Sequence, residues 1–228
     1  FRGEEITDLS TIERVRRGLG RSFQISNLYN GLTVRQNLRI PVIARTDARR
    51  DAISRVERNE DLTEEVDPLL SLLSLEAEAG TTVDELPYGA IRRLEIGVSL
   101  ASDPEVLLLD EPTAGMTPTE TEEMTEFIQH LHEETGTTIF ITEHDMDVVF
   151  TIADRVVVLH RGSVIADGTP SEVRNMESVI TAYLGREEEQ ASSEAGTPAT
   201  PDTEPTADGT SAVTGDHGEE SLLSVADI

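Results

Sequence analysis

Apolar positions in this chain fall into two spacings, and where they change they predict strands alternating with helices. Glu105 to Asp110 (EVLLLD) is a short unbroken apolar run, the pattern of a parallel strand buried on both faces. Thr117-Pro118 then predicts a helix start, with Thr as N-cap, Pro at the first helical position and Glu120 closing a capping box. Met124, Phe127, Ile128 and Leu131 recur at i, i+3, i+4 and i+7 and predict its buried stripe. Gly136 ends that helix, and Thr137 to Thr142 (TTIFIT) reads as the next strand. Strand, helix and strand in this order predict a βαβ unit with parallel neighbours. Arg155 to Leu159 and Ser163 to Ala166, turning through Arg161-Gly162, predict a hairpin.

The middle of the chain reads differently. Asp47 to Leu75 is dense in charge, with Val66, Leu69, Leu70 and Leu73 at helical spacing, and is expected to be a helical insertion separate from the sheet. After it, IRRLEIGVSLASDP predicts a helix with Leu94, Val98 and Ala101 on one side. From Arg186 the text turns to Pro, Thr, Ser, Gly and acid. Such a stretch buries too little apolar surface to offset its ordering entropy, so residues 186–228 are expected to be a disordered acidic tail. Its last residues, Ser221 to Ile228 (SLLSVADI), are expected to be a frayed end, with a short docking motif as the alternative. Deleting the tail is expected to change thermal stability little.

Composition narrows the classes. The formal net charge is −27, and all 18 basic residues are arginines. So acidic a surface argues against DNA or RNA as a partner, because phosphate binding depends on clustered Lys and Arg. It fits a protein kept soluble at high salt, where screening removes self-repulsion; a halophilic source is the expectation, and a plain solvating surface the alternative. Cysteine is absent, which excludes disulfides, thiolate nucleophiles and Cys-type zinc sites. No apolar run approaches the ~20 residues needed to cross a bilayer. No signal peptide is visible, and a first residue of Phe1 suggests a longer product.

Four places carry candidate chemistry. VLLLDE puts Asp110 and Glu111 at the carboxyl end of a buried parallel strand, where α/β sheets bind ligands. In phosphoryl transfer the first can hold Mg²⁺ through water and the second can polarise the attacking water, a positioned base contributing roughly 10²–10⁴-fold. The same hexapeptide also describes a strand ending in two solvated acids. Leu86-Pro87-Tyr88-Gly89-Ala90 precedes a helix, where a glycine lets an anion approach backbone N–H groups and the positive end of the dipole; an ordinary Pro-Gly turn reads the same way. His144, two residues past TTIFIT, could reach a phosphate at the sheet edge, or be a surface histidine. Gln24, in GRSFQ ahead of the helical insertion, could sense Mg²⁺ and water, or lie in a polar loop.

Taken in order, Gln24, the LPYG turn, VLLLDEP, Thr117 and the strand-end EHD are the order of an ABC ATPase. The resemblance covers Phe1 to about Gly185. Within it GRSFQ, the turn with its RRLEIG helix, VLLLDEPTAGM and ITEHDM are similar to the ATP-binding subunits of branched-chain amino acid transporters, and Tyr88 and the AGM after Glu111 point to that subfamily. Urea and short-amide importers use closely related subunits.

The resemblance implies an α/β, partial P-loop (RecA-like) ABC ATPase domain over residues 1–185, with a helical subdomain at about 25–102, and ATP and Mg²⁺ as cofactors. It implies Gln24 as the Q-loop glutamine and Leu86, Pro87, Tyr88, Gly89 and Ala90 as the signature, closing over the γ-phosphate bound by a second ATPase subunit. Asp110 takes the Walker B place as a metal-holding aspartate and Glu111 that of the catalytic base. Ala114 to Thr117 takes the D-loop place and His144 that of the switch histidine. Asn27 to Leu38 would lie near the groove for the permease's coupling helix. Membrane permease subunits, a homologous or identical ATPase partner and, indirectly, a solute-binding protein are the implied partners, at the cytoplasmic face of the membrane.

Three departures qualify this. No GxxxxGK[ST] occurs, and a chain without lysine cannot hold one; that loop supplies the phosphate cradle, the Lys for the β and γ phosphates and the hydroxyl on Mg²⁺. An N-terminally truncated chain is the expectation, a decayed ATP-silent subunit the alternative. Pro87 stands where a serine commonly contacts the γ-phosphate, and offers neither hydroxyl nor N–H, while Ala90 stands where a glutamine is usual. Thr117 replaces the usual acidic or amide residue. The competing readings are therefore a transport ATPase, a non-catalytic partner subunit that lends its signature face, and a soluble ABC protein of DNA repair or translation, the last opposed by the charge and the single ATPase unit.

Overall fold

The computed structural model describes residues 1–22, 28–45, 59–182 and 222–225, of which 59–63 and 222–225 are described by backbone alone. In chain order the elements are α1 (Thr11–Arg16), β1 (Leu19–Arg21), α2 (Val34–Arg45), α3 (Asn59–Leu72), α4 (Tyr88–Leu100), β2 (Val106–Asp110), α5 (Pro118–Thr135), β3 (Thr138–Glu143), α6 (Met146–Ile152), β4 (Arg155–His160), β5 (Ser163–Gly168), α7 (Pro170–Arg174), α8 (177–182) and β6 (Leu222–Val225).

The βαβ unit stands as expected. β2 and β3 run parallel, Leu107 opposite Ile139 and Leu109 opposite Ile141, and all four side chains are buried. The connecting helix α5 starts on the expected capping box, the Thr117 hydroxyl and the Glu120 carboxylate each accepting from the other's backbone N–H. It buries Met124, Phe127, Ile128 and Leu131 and ends at Gly136, whose φ of 64° is the left-handed conformation a helix C-cap needs. The β4–β5 hairpin turns through Arg161 and Gly162, both at positive φ, which matches the right-handed twist of the flanking strands.

Among the described residues six strands form one sheet, in the order β1-β2-β3-β6-β4-β5. β1, β2 and β3 are parallel neighbours, so their carboxyl ends, Arg21, Asp110 and Glu143, share one edge. β6 lies antiparallel between β3 and β4. The frayed end expected over SLLSVADI is thus, from Leu222 to Val225, a strand inside the sheet. The edges of β3 and β4 that face one another each present backbone N–H and C=O groups, and such groups are costly to leave unpaired inside a sheet. That supplies a driving force which no local pattern in the tail records. The rest of the tail lies outside the described residues.

The helical insertion also differs in detail from the sequence pattern. Val66, Leu70 and Leu73 are buried as expected, and Leu69 packs against them half-buried. Residues 46–58 lie outside the description, and α3 begins at Asn59. α2, which the pattern did not indicate, buries Val34, Leu38 and Val42 against α3 and α4 despite Pro41 in its interior. Its start is fixed by Asn37, whose side-chain amide accepts from Tyr29 N–H at 2.9 Å and donates to the carbonyls of Tyr29, Leu32 and Thr33. α4 packs on Leu73 through Gly97, where a Cβ would stand 2.2 Å from Leu73 Cδ1.

Candidate functional site

The parallel register brings Asp110, Thr142 and the chain around His144 to one edge. Asp110 ends β2 opposite Thr142, and the Thr142 hydroxyl donates to Asp110 Oδ1 at 2.5 Å. From the other side Arg21, ending β1, donates to Asp110 Oδ2 at 3.2 Å. One carboxylate is therefore aimed by a neutral donor and a cation, each held by a neighbouring strand.

The next residue breaks the strand. Glu111 has φ 45°, a left-handed conformation uncommon for a non-glycine residue and costing about 1–3 kcal/mol. Two backbone bonds hold it there: Glu111 N–H donates to the Thr142 carbonyl at 2.9 Å, and Ala114 N–H donates to the Glu111 carbonyl at 3.1 Å. This turn lifts the Glu111 carboxylate toward β3, where Oε1 lies 3.8 Å from His144 Nδ1. Their side chains are 27 % and 53 % exposed, so the pair faces solvent from a walled edge.

Glu143 is the residue that the sequence reading missed. Its side chain is fully buried, accepts from Thr113 N–H at 3.0 Å and from the Thr113 hydroxyl at 2.5 Å through Oε1, and from His144 N–H at 3.2 Å through Oε2. It clamps the loop after Glu111 onto the end of β3 and fixes the backbone of His144. The alternating burial of β3, in which every second residue through Glu143 points inward, was the available signal.

The turn at Leu86 to Ala90 is tied to the same loop. Pro87 is the N-cap of α4, with no side-chain cap bond, and Tyr88, Gly89 and Ala90 form its first turn. Gly89 thus lies inside the helix and not ahead of it, because Pro87, in extended conformation, is the residue that turns the chain into α4. Ala90 N–H donates to the Pro87 carbonyl at 3.0 Å, and a Cβ at Gly89 would meet nothing within 4 Å, so an anion could approach this helix end at the Tyr88 and Gly89 side. Leu86 is buried, and Tyr88 reaches across to donate its hydroxyl hydrogen to the Ala114 carbonyl at 2.9 Å. Arg92 donates to that hydroxyl at 3.0 Å and pairs with Glu95 at 3.1 Å. Partial burial works against the Arg92 charge, yet Tyr88 and Glu95 beside it hold its pKa above the ordinary value. Thr117 caps α5 just beyond this loop, and its backbone and hydroxyl bonds pull the Glu120 pKa below the usual carboxylate range. Gln24 lies outside the described residues; β1, which leads to it, ends beside Asp110.

The donor set fits half of a nucleotide–metal site. A single aimed carboxylate, a threonine hydroxyl and an open edge suit Mg²⁺, which keeps several waters and takes one or two carboxylates with substrate phosphates. Among the described residues no three His, Asp or Glu converge into a self-sufficient metal cage. The phosphate cradle is not supplied by these 228 residues, which contain no GxxxxGK[ST].

Known proteins are similar to this chain in sequence and in fold. The family model for ABC transporters matches residues 1–114, and that for the branched-chain amino acid ATP-binding cassette transporter matches residues 163–189. The high-affinity branched-chain amino acid transport ATP-binding protein LivG of Salmonella typhimurium is 38 % identical over 181 residues, covering 75 % of this chain and 69 % of that protein. BraF of Pseudomonas aeruginosa, which carries the same description, is 35 % identical over 190 residues, covering 80 % and 74 %. The solved ADP conformation of MJ1267, an ATP-binding cassette of an ABC transporter, superposes with a TM-score of 0.67 at 27 % identity, covering 81 % of this chain and 75 % of that one. The chain belongs to the ABC transporter ATPase family, whose members bind ATP, and within it is related to the ATP-binding proteins of branched-chain amino acid transporters.

Proposed function

We propose that this chain is part of an ATP-hydrolysing subunit that drives import of branched-chain amino acids through a membrane permease. The observation that carries the reading is Glu111, held at positive φ by two backbone bonds with its carboxylate 3.8 Å from His144 Nδ1. Strain of this kind persists where the surroundings over-determine it, and it collects at reacting sites.

In this reading Mg²⁺, when bound with ATP, supplies charge neutralisation at the transferring phosphate. Asp110 holds the metal's water shell, aimed by Thr142 and Arg21. Glu111 accepts a hydrogen bond from the attacking water and orients it. His144, with its backbone fixed by Glu143, donates to the γ-phosphate. Gln24, three residues past the end of β1 in sequence, would contribute its side-chain amide to the metal and its water. Leu86 to Ala90 present the first turn of α4 to the nucleotide on a second ATPase subunit, with Thr117 at the same junction. No helix among the described residues is long and apolar enough to cross a membrane. In this reading permease subunits would hold the chain peripherally at the cytoplasmic face of the membrane, and a solute-binding protein would meet it only through them. LivG and BraF support branched-chain amino acids as the solute.

Uptake of labelled leucine in cells with and without the gene tests the solute. Loss of uptake on deletion is expected. Unchanged leucine uptake with loss of urea or amide uptake would move the assignment to that related group. Complementation by the Glu111→Gln gene would favour the non-catalytic subunit.

A further inference from the structure

We propose that Arg21 is the resident counter-ion of the metal site: by sharing Asp110 it holds the affinity of this edge for Mg²⁺ low until a nucleotide is bound. The proposal rests on the reading of Asp110 as the metal-holding carboxylate. Arg21 pairs with Leu108 in the parallel register of β1 and β2. Leu108 and Asp110 are two residues apart on one strand, so Arg21 and Asp110 share a face of the sheet, and the guanidinium spans the offset to donate to Oδ2 at 3.2 Å. The backbone beneath it is fixed. The Arg21 carbonyl accepts from the Ser99 hydroxyl of α4 at 3.0 Å, and Ser22 N–H donates to the Leu108 carbonyl at 2.9 Å. The Arg21 side chain is 56 % exposed and that of Asp110 35 %. A half-exposed pair of this kind is weak and yields to a stronger charge.

Charge explains why the edge needs a cation of its own. Asp110, Glu111 and Glu143 bring three carboxyl groups to it, Glu143 with a fully buried side chain. The whole chain carries −27, so its field gathers cations with or without nucleotide. Arg21 offsets the Asp110 charge and so opposes a dication that arrives alone. Once ATP is bound, Arg21 is outweighed by the negative charge of the phosphates. It need not leave for this to happen. Each carboxylate oxygen accepts more than one bond, so Oδ1 beside the Thr142 hydroxyl and Oδ2 beside Arg21 both keep room for a water of the metal's shell. A guanidinium suits the role, since it stays protonated throughout the physiological pH range.

Mn²⁺ binding to the nucleotide-free full-length protein, read by electron paramagnetic resonance of the free ion, tests this without turnover. The Asp110-dependent part of that binding is what Asp110→Asn removes. Arg21→Gln, which takes away the charge, is expected to tighten this part roughly three- to tenfold, the scale of screened repulsion between a dication and one cation in a wet site. Arg21→Lys, which keeps the charge, is expected to stay within about twofold of wild type. The gain should vanish when Arg21→Gln is combined with Asp110→Asn. Equal Mn²⁺ affinity in wild type and Arg21→Gln would overturn the proposal, and so would a gain that survives Asp110→Asn or that Arg21→Lys reproduces. The tightening of ATP binding by Mg²⁺ separates this proposal from the reading beneath it. If Asp110→Asn leaves that tightening intact, Asp110 is not the metal carboxylate and both fall. If Asp110→Asn abolishes it while Arg21→Gln leaves nucleotide-free Mn²⁺ binding unchanged, the reading of Asp110 stands and only the counter-ion role fails.

Discussion

The Tyr88 hydroxyl donates to the Ala114 carbonyl across 2.9 Å, and Ala114 N–H in turn donates to the carbonyl of Glu111. The first turn of α4 and the strained residue at the end of β2 are thus two hydrogen bonds apart. A shift of the α4 start would reach the backbone of Glu111 through these two bonds. Tyr88→Phe keeps the ring, with the Arg92 guanidinium 5.4 Å from its centroid, but removes both the link to Ala114 and the bond the hydroxyl accepts from Arg92. Its stability cost is expected to be about 2–4 kcal/mol, for one neutral hydrogen bond and one from a charged donor. Nucleotide turnover of the full-length protein should fall by a larger factor than this stability loss implies. Equal turnover in Tyr88→Phe and wild type would show that the bond transmits nothing.

Gly97→Ala tests the packing of the helical segment. The added methyl would meet Leu73 Cδ1, and Leu73 is fully buried with no room to retreat. The overpacking cost is expected to be about 1–3 kcal/mol, exceeding the helix-propensity gain of roughly 1 kcal/mol from replacing glycine. Denaturant unfolding measures it, and a stabilised variant would mean that α3 and α4 are not seated against each other here.

Acid sensitivity should trace partly to the capping boxes. Hydrogen bonds from Ser10, Thr117 and Thr169 lower the pKa values of Glu13, Glu120 and Glu172 below 4.5. A carboxylate whose folded pKa is depressed contributes stability that is present above its unfolded pKa and lost as pH falls through the folded value. The melting-temperature difference between wild type and Glu120→Ala should therefore be full at pH 6 and shrink below pH 4.5. A difference that stays constant down to pH 3 would assign the effect to side-chain packing instead.

Elements with strong local signals were legible in the sequence. The β2–α5–β3 unit could be read because its apolar runs, its capping box and Gly136 each act over a few residues. Asp110, Glu111 and His144 could be placed on one edge because parallel strands put their carboxyl ends together. What escaped depends on distant partners. α2 was hidden by Pro41 and by a helix stripe of only three apolar residues, and becomes stable against α3 and α4. The positive φ of Glu111 is imposed by Thr142 and Ala114, which no spacing rule connects to it. Glu143 looked like one more acid in an acidic chain until Thr113 folded over it. The segment Leu222–Val225, read as a frayed end, pairs as a strand with both β3 and β4, partners far away in sequence.

The most direct measurement is ATP turnover by the full-length protein as its source makes it, compared with Glu111→Gln. The substitution keeps the shape and the hydrogen-bond reach but removes the carboxylate. Because a positioned base contributes roughly 10²–10⁴-fold, turnover should fall by about that factor while the melting temperature stays close to wild type. Turnover unchanged in Glu111→Gln would contradict the account, since the strained glutamate facing His144 would then not be the residue that orients the attacking water.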